Sequence, residues 1–134
     1  MINLIERAQQ FSKRIAIKSD GKDYTYLQLL KRSNEISSNL LNKKKDLKED
    51  RIAFLIPASF QYATVQWGIW RAGGIAVPLC EKHPLSSIKY VLDDTQASTV
   101  IYSEVFEELL SPLFKNTNVR YVTYKSIPKV DCNL

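Results

Sequence analysis

The sequence predicts an α/β fold: a largely parallel sheet flanked by helices and preceded by an N-terminal helix and a β-hairpin. From residue 26 onward, segments with apolar residues at helical spacing alternate with short apolar runs. This alternation is typical of right-handed βαβ crossovers. The length of 134 residues lies close to the roughly 150 of an average domain. We therefore expect residues 1–134 to form a single α/β domain.

Composition excludes several classes of protein. The chain is 45% hydrophobic and 25% charged, as globular proteins are, which excludes a disordered tail, a collagen-like repeat and a disulfide scaffold. The N-terminal stretch contains Glu6 and no uninterrupted apolar run, unlike a secretory signal. No apolar run approaches the roughly 20 residues that span a bilayer. We expect a soluble, cytoplasmic protein without a membrane partner.

The first three elements are a helix and a hairpin. Apolar residues recur at helical spacing over the first dozen positions, which predicts an amphipathic helix. Two β-rich segments, Arg14–Lys18 and Lys22–Tyr26, flank residues 19–21 (Ser-Asp-Gly). A glycine-containing loop of three residues between such segments is typical of an antiparallel hairpin.

A long helix follows the hairpin. Thr25 can cap its N-terminus, and its apolar stripe begins at Leu27 and continues to Leu41. The helix is expected to end in a lysine-rich stretch, where lysines in the last turn would complement the negative end of the helix dipole.

The second half of the chain begins with a buried strand. The continuous apolar run at 52–56, stopped by Pro57, is typical of a strand buried on both faces. Ser59 can cap a helix that runs to about Arg71, and residues 73–74 (Gly-Gly) can end it. The alternation then continues with a second buried strand over Ile75–Leu79, a short helix opened by Ser86 and Ser87, a strand over Ser98–Tyr102, a helix over Glu104–Phe114 and a last strand over Val119–Tyr124.

A search for catalytic side chains finds few candidates. His83, the only histidine, follows the strand predicted to end at Leu79, and ligands of parallel sheets bind beyond such strand ends. A lone loop histidine is nevertheless more often bonded to backbone or water. Cys80 has no nearby base, and its distance from Cys132 in sequence offers no metal-ligand spacing, so both are expected to be reduced thiols.

Other motifs favour structural roles. The glycine pair follows a helix and precedes a strand, the reverse of a dinucleotide-binding turn, and no GxxxxGK[ST] motif occurs. Neighbouring acidic residues on a helix point about 100° apart and form no acid–base pair. The acidic pairs of this kind are Asp93-Asp94 and Glu107-Glu108. Trp67 and Trp70 are expected to pack against the sheet. We predict no catalytic, cofactor-binding or metal-binding residue in the chain.

Net charge alone does not identify a partner. The formal charge is +5, and the densest cluster of lysines is interleaved with acidic residues. Such a mixed run is typical of a solvated helix end, so we expect no nucleic-acid partner. A basic nucleic-acid binder remains the last-ranked alternative, and its affinity would fall steeply with salt. The residues concerned are Lys43, Lys44, Lys45 and Lys48, with Asp46, Glu49 and Asp50.

Three blocks in order resemble the AMP-forming acyl-CoA synthetases, or adenylate-forming enzymes. Asp23–Leu41 (DYTYLQLLKRSNEISSNLL) is similar to that family's first core motif, and Trp67–Leu79 (WGIWRAGGIAVPL) is similar to its second. Glu49–Gln66 resembles the buried strand, turn and helix between them, although residues 57–59 (Pro-Ala-Ser) stand where many members have an asparagine. The segments Ala76–Val100 and Glu107–Leu113 look most like the malonyl-CoA synthetase-like branch.

The resemblance implies part of an enzyme. In the family a carboxylate attacks the α-phosphate of Mg-bound ATP to form an acyl-adenylate, and the CoA thiol then displaces AMP. The family's phosphate loop, magnesium-binding glutamate and catalytic lysine lie downstream of the matched blocks. The chain corresponds to about the first quarter of such an enzyme, so the implied fragment is inactive alone and holds no cofactor.

The resemblance also implies partners. The remainder of the enzyme chain would be the protein partner, and a small-molecule carboxylate would be the substrate of the parent enzyme, with ATP, Mg and CoA as its cofactors. A subdomain separated from that remainder exposes apolar surface, so we expect self-association or marginal stability. The alternative is a self-contained α/β ligand-binding module that uses the loop around His83.

Overall fold

The chain folds into an N-terminal helix, a separate antiparallel hairpin and a four-stranded parallel sheet with helices on both faces. The structure is a computed structural model that describes residues 2–130; Cys132 lies outside the described residues. Three short 3₁₀ helices cover Glu104–Phe106, Ser111–Lys115 and Tyr124–Ser126. The main elements are α1 (Asn3–Gln9), β1 (Ile15–Ser19), β2 (Lys22–Thr25), α2 (Tyr26–Leu41), β3 (Arg51–Leu55), α3 (Phe60–Arg71), β4 (Ile75–Pro78), α4 (Leu85–Thr95), β5 (Thr99–Tyr102), α5 (Glu107–Leu110) and β6 (Arg120–Thr123).

The parallel sheet has the order β4-β3-β5-β6, which confirms the predicted parallel architecture. Its two central strands are almost completely buried, as the continuous apolar run at 52–56 predicts. Side chains alternate between the faces of a strand. Ile52 and Phe54 of β3 therefore pack beneath α2 and α3, whereas Ala53 and Leu55 pack beneath α4 and α5.

A third cluster of apolar side chains lies outside the sheet. Ile5 of α1 and Leu29 of α2 pack there with Phe60 and Trp67 of α3. The expectation that Trp67 and Trp70 pack against the sheet is therefore wrong. α3 is covered on both sides: Val65 and Ile69 face the sheet, and the two tryptophans face α1, α2 and the hairpin.

Helix α2 confirms its predicted cap but not its predicted end. Thr25 and Gln28 form a reciprocal capping box, in which each side chain accepts a hydrogen bond from the other's backbone N–H. The helix ends at Leu41 with Asn42 in the left-handed conformation. The last turn contains no basic residue, so the lysines follow the helix rather than complement its dipole. Leu27, expected in the apolar stripe, is 59% exposed.

Helix α3 is capped at both ends as predicted. The Ser59 hydroxyl accepts a hydrogen bond from the Tyr62 N–H. At the other end Gly73 adopts φ +84°, Gly73 N–H donates to Trp70 O, and Gly74 N–H donates to Ile69 O. These two bonds define a Schellman motif, which glycine favours because it has no Cβ.

The length of the hairpin loop and the start of helix α4 differ from the prediction. The hairpin loop has two residues, Asp20 and Gly21, both with positive φ, as the right-handed twist of a tight hairpin requires. Helix α4 begins at Leu85 with Pro84 as its N-cap, so Ser86 and Ser87 lie inside its first turn.

Two further predictions are corrected in the second half. β4 lies at an edge of the sheet and is only partly buried, with Ile75 40% exposed. The predicted helix over Glu104–Phe114 is broken into one turn of α-helix between two 3₁₀ turns. Pro112 lacks the N–H that a continuous helix needs, and Val105 is exposed rather than part of an apolar stripe.

Candidate functional site

The order of the strands creates a switch point between β3 and β5. The chain leaves β3 through α3 to reach β4 on one side, and leaves β5 through α5 to reach β6 on the other. These connections lie on opposite faces of the sheet. Adjacent strands whose connections diverge leave a crevice beyond their carboxyl ends, where open α/β sheets bind ligands.

A cleft of about 190 Å³ opens at this switch point. Pro57 stops β3, and Ser59 starts α3 there, with its hydroxyl donating to Pro57 O at 2.8 Å. Ser103 follows β5 directly, and its N–H donates to Leu55 O at 3.0 Å. We call this space the switch-point cleft; it is lined by Asp20, Ile56, Pro57, Ser59, Gln61, Ser103 and Tyr124.

Tyr124 forms one wall of the switch-point cleft and is held in place by polar contacts. Its hydroxyl lies 3.0 Å from Thr64 Oγ1 and accepts a hydrogen bond of 3.2 Å from Arg32 Nε. The Arg32 guanidinium lies 4.7 Å from the centre of the Tyr124 ring. The wall is therefore anchored to α2 and α3.

Arg32 also fixes the chain after β6. Its Nη2 donates to Tyr124 O at 3.1 Å, and its Nη1 donates to Pro128 O at 3.3 Å. Arg32 is only 6% exposed, and its Nη1 pairs with Glu35 Oε1 at 3.2 Å. Glu35 Oε2 in turn accepts a hydrogen bond from the Val130 N–H. We call residues 124–130, which this buried ion pair holds against α2, the C-terminal strap.

A second cavity, of about 410 Å³, adjoins the switch-point cleft. The two share Gln61, Ser103 and Tyr124. The strap contributes two cations to this second cavity: Lys125, whose Nζ lies 3.9 Å from Glu104 Oε2, and Lys129. We call this second space the strap cavity; it is lined by Arg32, Gln61, Ser103, Glu104, Val105, Tyr124, Lys125 and Lys129.

The chemistry of these two spaces favours binding. They present hydroxyl, amide, ammonium and guanidinium groups together with the carboxylates of Asp20 and Glu104, and none of their lining residues is a histidine or cysteine that could act as a neutral base or thiol nucleophile. Within residues 2–130, no group of three or more His, Cys, Asp or Glu side chains is arranged to hold a metal ion. The arrangement can hold and orient a polar ligand.

The residues considered from sequence lie elsewhere. His83 is exposed in the loop after the edge strand β4, and its backbone N–H donates to the backbone carbonyl of Cys80 at 3.1 Å. Asp93 pairs with Lys89 at 2.6 Å on the surface of α4. Gly73 and Gly74 form a corner before β4, at the opposite end of the sheet from the cleft.

From the sequence, none of the residues that line these two spaces is singled out as a site residue. Ser103 directly follows the predicted strand Ser98–Tyr102, and Tyr124, which the sequence predicts at the end of the last strand, belongs to the strap. The first residue after each buried parallel strand was the available signal, because strand ends converge on one edge of the sheet. The order of the strands decides which strand ends border the cleft, and that order cannot be predicted from the sequence.

No helix within residues 2–130 is both long enough and apolar enough to cross a membrane. This observation agrees with the absence of a long apolar run in the sequence.

The family of the chain follows from comparison with known proteins. The model of the AMP-binding enzyme family matches residues 4–131, and the chain belongs to that family. It is 38% identical over 117 residues to malonate–CoA ligase ACSF3, mitochondrial, of Homo sapiens, covering 84% of this chain and 20% of that protein. It is 35% identical over 127 residues to the Xenopus laevis protein of the same name, covering 92% of this chain and 22% of that protein. The chain thus spans about a fifth of the length of these relatives.

Solved structures share the fold. The anthranilate CoA ligase AuaEII, in complex with anthranoyl-AMP, matches with a TM-score of 0.81 at 20% identity, over 90% of this chain and 24% of that one. The N-terminal subdomain of NpsA from Klebsiella oxytoca matches with a TM-score of 0.76 at 20% identity, over 93% of this chain and 30% of that one. The parallel sheet with its flanking helices is therefore that of the N-terminal subdomains of adenylate-forming enzymes.

Proposed function

We propose that the chain serves as the N-terminal α/β subdomain of an AMP-forming acyl-CoA ligase that activates malonate. The observation that carries this proposal is the 38% identity to a malonate–CoA ligase over 117 residues. The reaction would join malonate to CoA through an acyl-adenylate, with ATP consumed to AMP and pyrophosphate. The remainder of the enzyme chain would be the partner of this subdomain.

The described residues do not form a complete site for Mg-bound ATP. No cluster of carboxylates within residues 2–130 can hold a metal ion. The turn from β3 into α3, IPASF, contains no glycine, whereas phosphate-cradling loops use glycine to bring backbone N–H groups close to the phosphates. We therefore derive no catalytic step from these residues and assign ATP, magnesium and CoA to the remainder of the enzyme.

The contribution of this chain is a rigid support. Pro57 and Ser59 redirect the backbone at the carboxyl edge of the sheet, and Gly73 turns it at the amino edge. Arg32 holds the strap, from which the chain continues, against α2. A fixed exit direction would set where the following part of a longer enzyme meets this subdomain.

The first test uses the chain alone. Residues 1–134 mixed with ATP, Mg²⁺, malonate and CoA should release no pyrophosphate above the rate without protein, because the groups that bind and activate ATP are not in this chain. Pyrophosphate release that depends on malonate would contradict the proposal.

The second test restores the missing part. A chimera carries residues 4–131 of this chain in place of the aligned segment of the human malonate–CoA ligase. We expect it to form malonyl-CoA, whereas the human remainder alone should not. A folded chimera with no malonyl-CoA formation, beside an active human enzyme, would count against the proposed function.

A further inference from the structure

The strap cavity contains three polar side chains whose donors have no partner among residues 2–130. Among residues 2–130, the Gln61 amide, the Ser103 hydroxyl and the Lys129 ammonium make no side-chain hydrogen bond or ion pair. All three line the same cavity. They come from three separate elements: the first turn of α3, the residue after β5, and the strap.

The neighbouring polar groups already have partners. The Ser59 hydroxyl donates to Pro57 O and accepts from Tyr62 N–H. The Tyr124 hydroxyl contacts Thr64 and Arg32. Of the polar groups that line the strap cavity, those of Tyr124 and Arg32 are therefore fixed by contacts within the protein, and three donors stay free among the described residues.

The charges around the cavity leave one cation without an ion pair. Arg32 pairs with Glu35 at 3.2 Å, and Lys125 lies 3.9 Å from Glu104. Lys129 has no such partner among the described residues. Asp20 is the acidic residue on the adjoining switch-point cleft; it lies on the hairpin turn and does not line the strap cavity. Counted over residues 2–130, the side of the cavity near Lys129 thus carries net positive charge.

From these groups we infer that the strap cavity binds the phosphate group of a ligand. A phosphate presents oxygens in several directions, so it can accept hydrogen bonds from donors on three elements at once, whereas a planar carboxylate presents two oxygens in one plane. The location beyond the carboxyl ends of parallel strands is where such sheets bind ligands. This site is additional to the proposed function, which places no ligand contact in the chain.

The test is a titration of the chain with inorganic phosphate, at pH 7 and constant ionic strength, followed by NMR of backbone amides. Saturable shifts should centre on Gln61, Ser103 and Lys129. Lys129→Met should weaken binding about tenfold, because a hydrogen bond to a charged group is lost. Ser103→Ala should weaken it by roughly threefold, the smaller loss expected from a neutral donor.

The controls separate this site from general attraction to a basic protein. Lys44→Met removes an exposed lysine from the loop after α2, at the other end of the sheet, and should leave phosphate affinity unchanged. Malonate carries at least as much negative charge as phosphate at pH 7 and should nevertheless bind at least several-fold more weakly. Unchanged affinity in Lys129→Met, equal loss in Lys44→Met, equal affinity for malonate, or no saturation at all would each overturn the inference. The chimera assay does not depend on these outcomes, so the two proposals can fail separately.

Discussion

Gly73 and Gly21 both have positive φ, +84° and +75°, but their surroundings differ. A Cβ at Gly73 would overlap the Asp46 carboxylate, whose Oδ1 accepts a hydrogen bond of 2.8 Å from Lys48 N–H. A Cβ at Gly21 would meet no atom within 4 Å. The same backbone conformation is therefore an open turn at one site and a crowded corner at the other.

The two glycines give a matched pair of variants. Gly21→Ala should lower the free energy of unfolding by about 1 kcal/mol, the cost of a left-handed alanine. Gly73→Ala should lower it by about 2–4 kcal/mol, because overpacking is added to that cost. Urea unfolding at pH 7 measures both. Equal losses would show that the contact with Asp46 does not constrain the corner.

Tyr102 links stability to alkaline pH. Burial raises the pKa of its hydroxyl to about 12, and the hydrogen bond of 2.9 Å to Glu107 Oε1 adds to the shift. The unfolded chain loses this proton near pH 10, whereas the folded chain keeps it. Stability from this group is thus complete below about pH 10 and is lost as the pH rises toward about 12.

Replacing this tyrosine removes its titration. We expect Tyr102→Phe to flatten the decline in unfolding free energy between about pH 10 and 12, and to cost about 1 kcal/mol at pH 7 through the lost hydrogen bond. Thermal melts at a series of pH values measure this effect. The same alkaline slope in both proteins would contradict the assignment.

At the scale of the element, short apolar patterns and caps predict the fold well. The run at 52–56 becomes a central strand, and Thr25 and Ser59 cap the helices that they precede. The failures are the ends of elements, and two of them had a local signal. Asn42, which tolerates the left-handed conformation, ends α2 before the lysines, and Pro112 interrupts the helix expected after β5.

The contact between α2 and the strap depends on a buried ion pair. The side chains of Arg32 and Glu35 are 8% and 5% exposed. Arg32→Met should lower stability by about 3–5 kcal/mol, because the Glu35 carboxylate is left buried without its partner. The double variant Arg32→Met/Glu35→Leu should be more stable than Arg32→Met alone.

An exposed ion pair serves as the control for these two variants. Lys89 and Asp93 have side chains that are 61% and 59% exposed, so Lys89→Met should change stability by less than about 1 kcal/mol. Urea unfolding of the unaltered chain, Arg32→Met, the double variant and Lys89→Met measures these differences in stability. A double variant that is less stable than Arg32→Met would show that the pair is not the source of the loss.

At the scale of the whole molecule, the candidate site could not be assembled from sequence. The walls of the switch-point cleft come from the hairpin turn, the start of α3, the end of β5 and the strap. Each contributes ordinary polar residues with no motif of their own. Their meeting depends on the strand order β4-β3-β5-β6, which the alternation of elements does not specify.

The surface between α2 and the strap is expected to drive self-association. Leu27 and Val130, 59% and 56% exposed, line with Leu30 a groove of about 590 Å³. Sedimentation velocity should show a mass that rises with concentration above the 15.4 kDa monomer. Leu27→Gln should weaken the association, since it removes apolar surface.

Tyr90 provides the control for that measurement. It is 69% exposed on α4 and does not line the groove, so Tyr90→Gln should associate like the unaltered chain. A monomer at every concentration, or equal effects of the two variants, would show that the groove does not mediate contact.

The strap also bears on how the molecule is made. Arg32 meets Tyr124 across 92 positions, and Glu35 meets Val130 across 95. A ribosome delivers the N-terminal residues first, so α2 emerges long before the segment that covers it. Contacts so distant in sequence form slowly because a long loop must close. A nascent chain would therefore carry α2 uncovered until the strap has been synthesised, and the exposed helix could bind a chaperone during that interval.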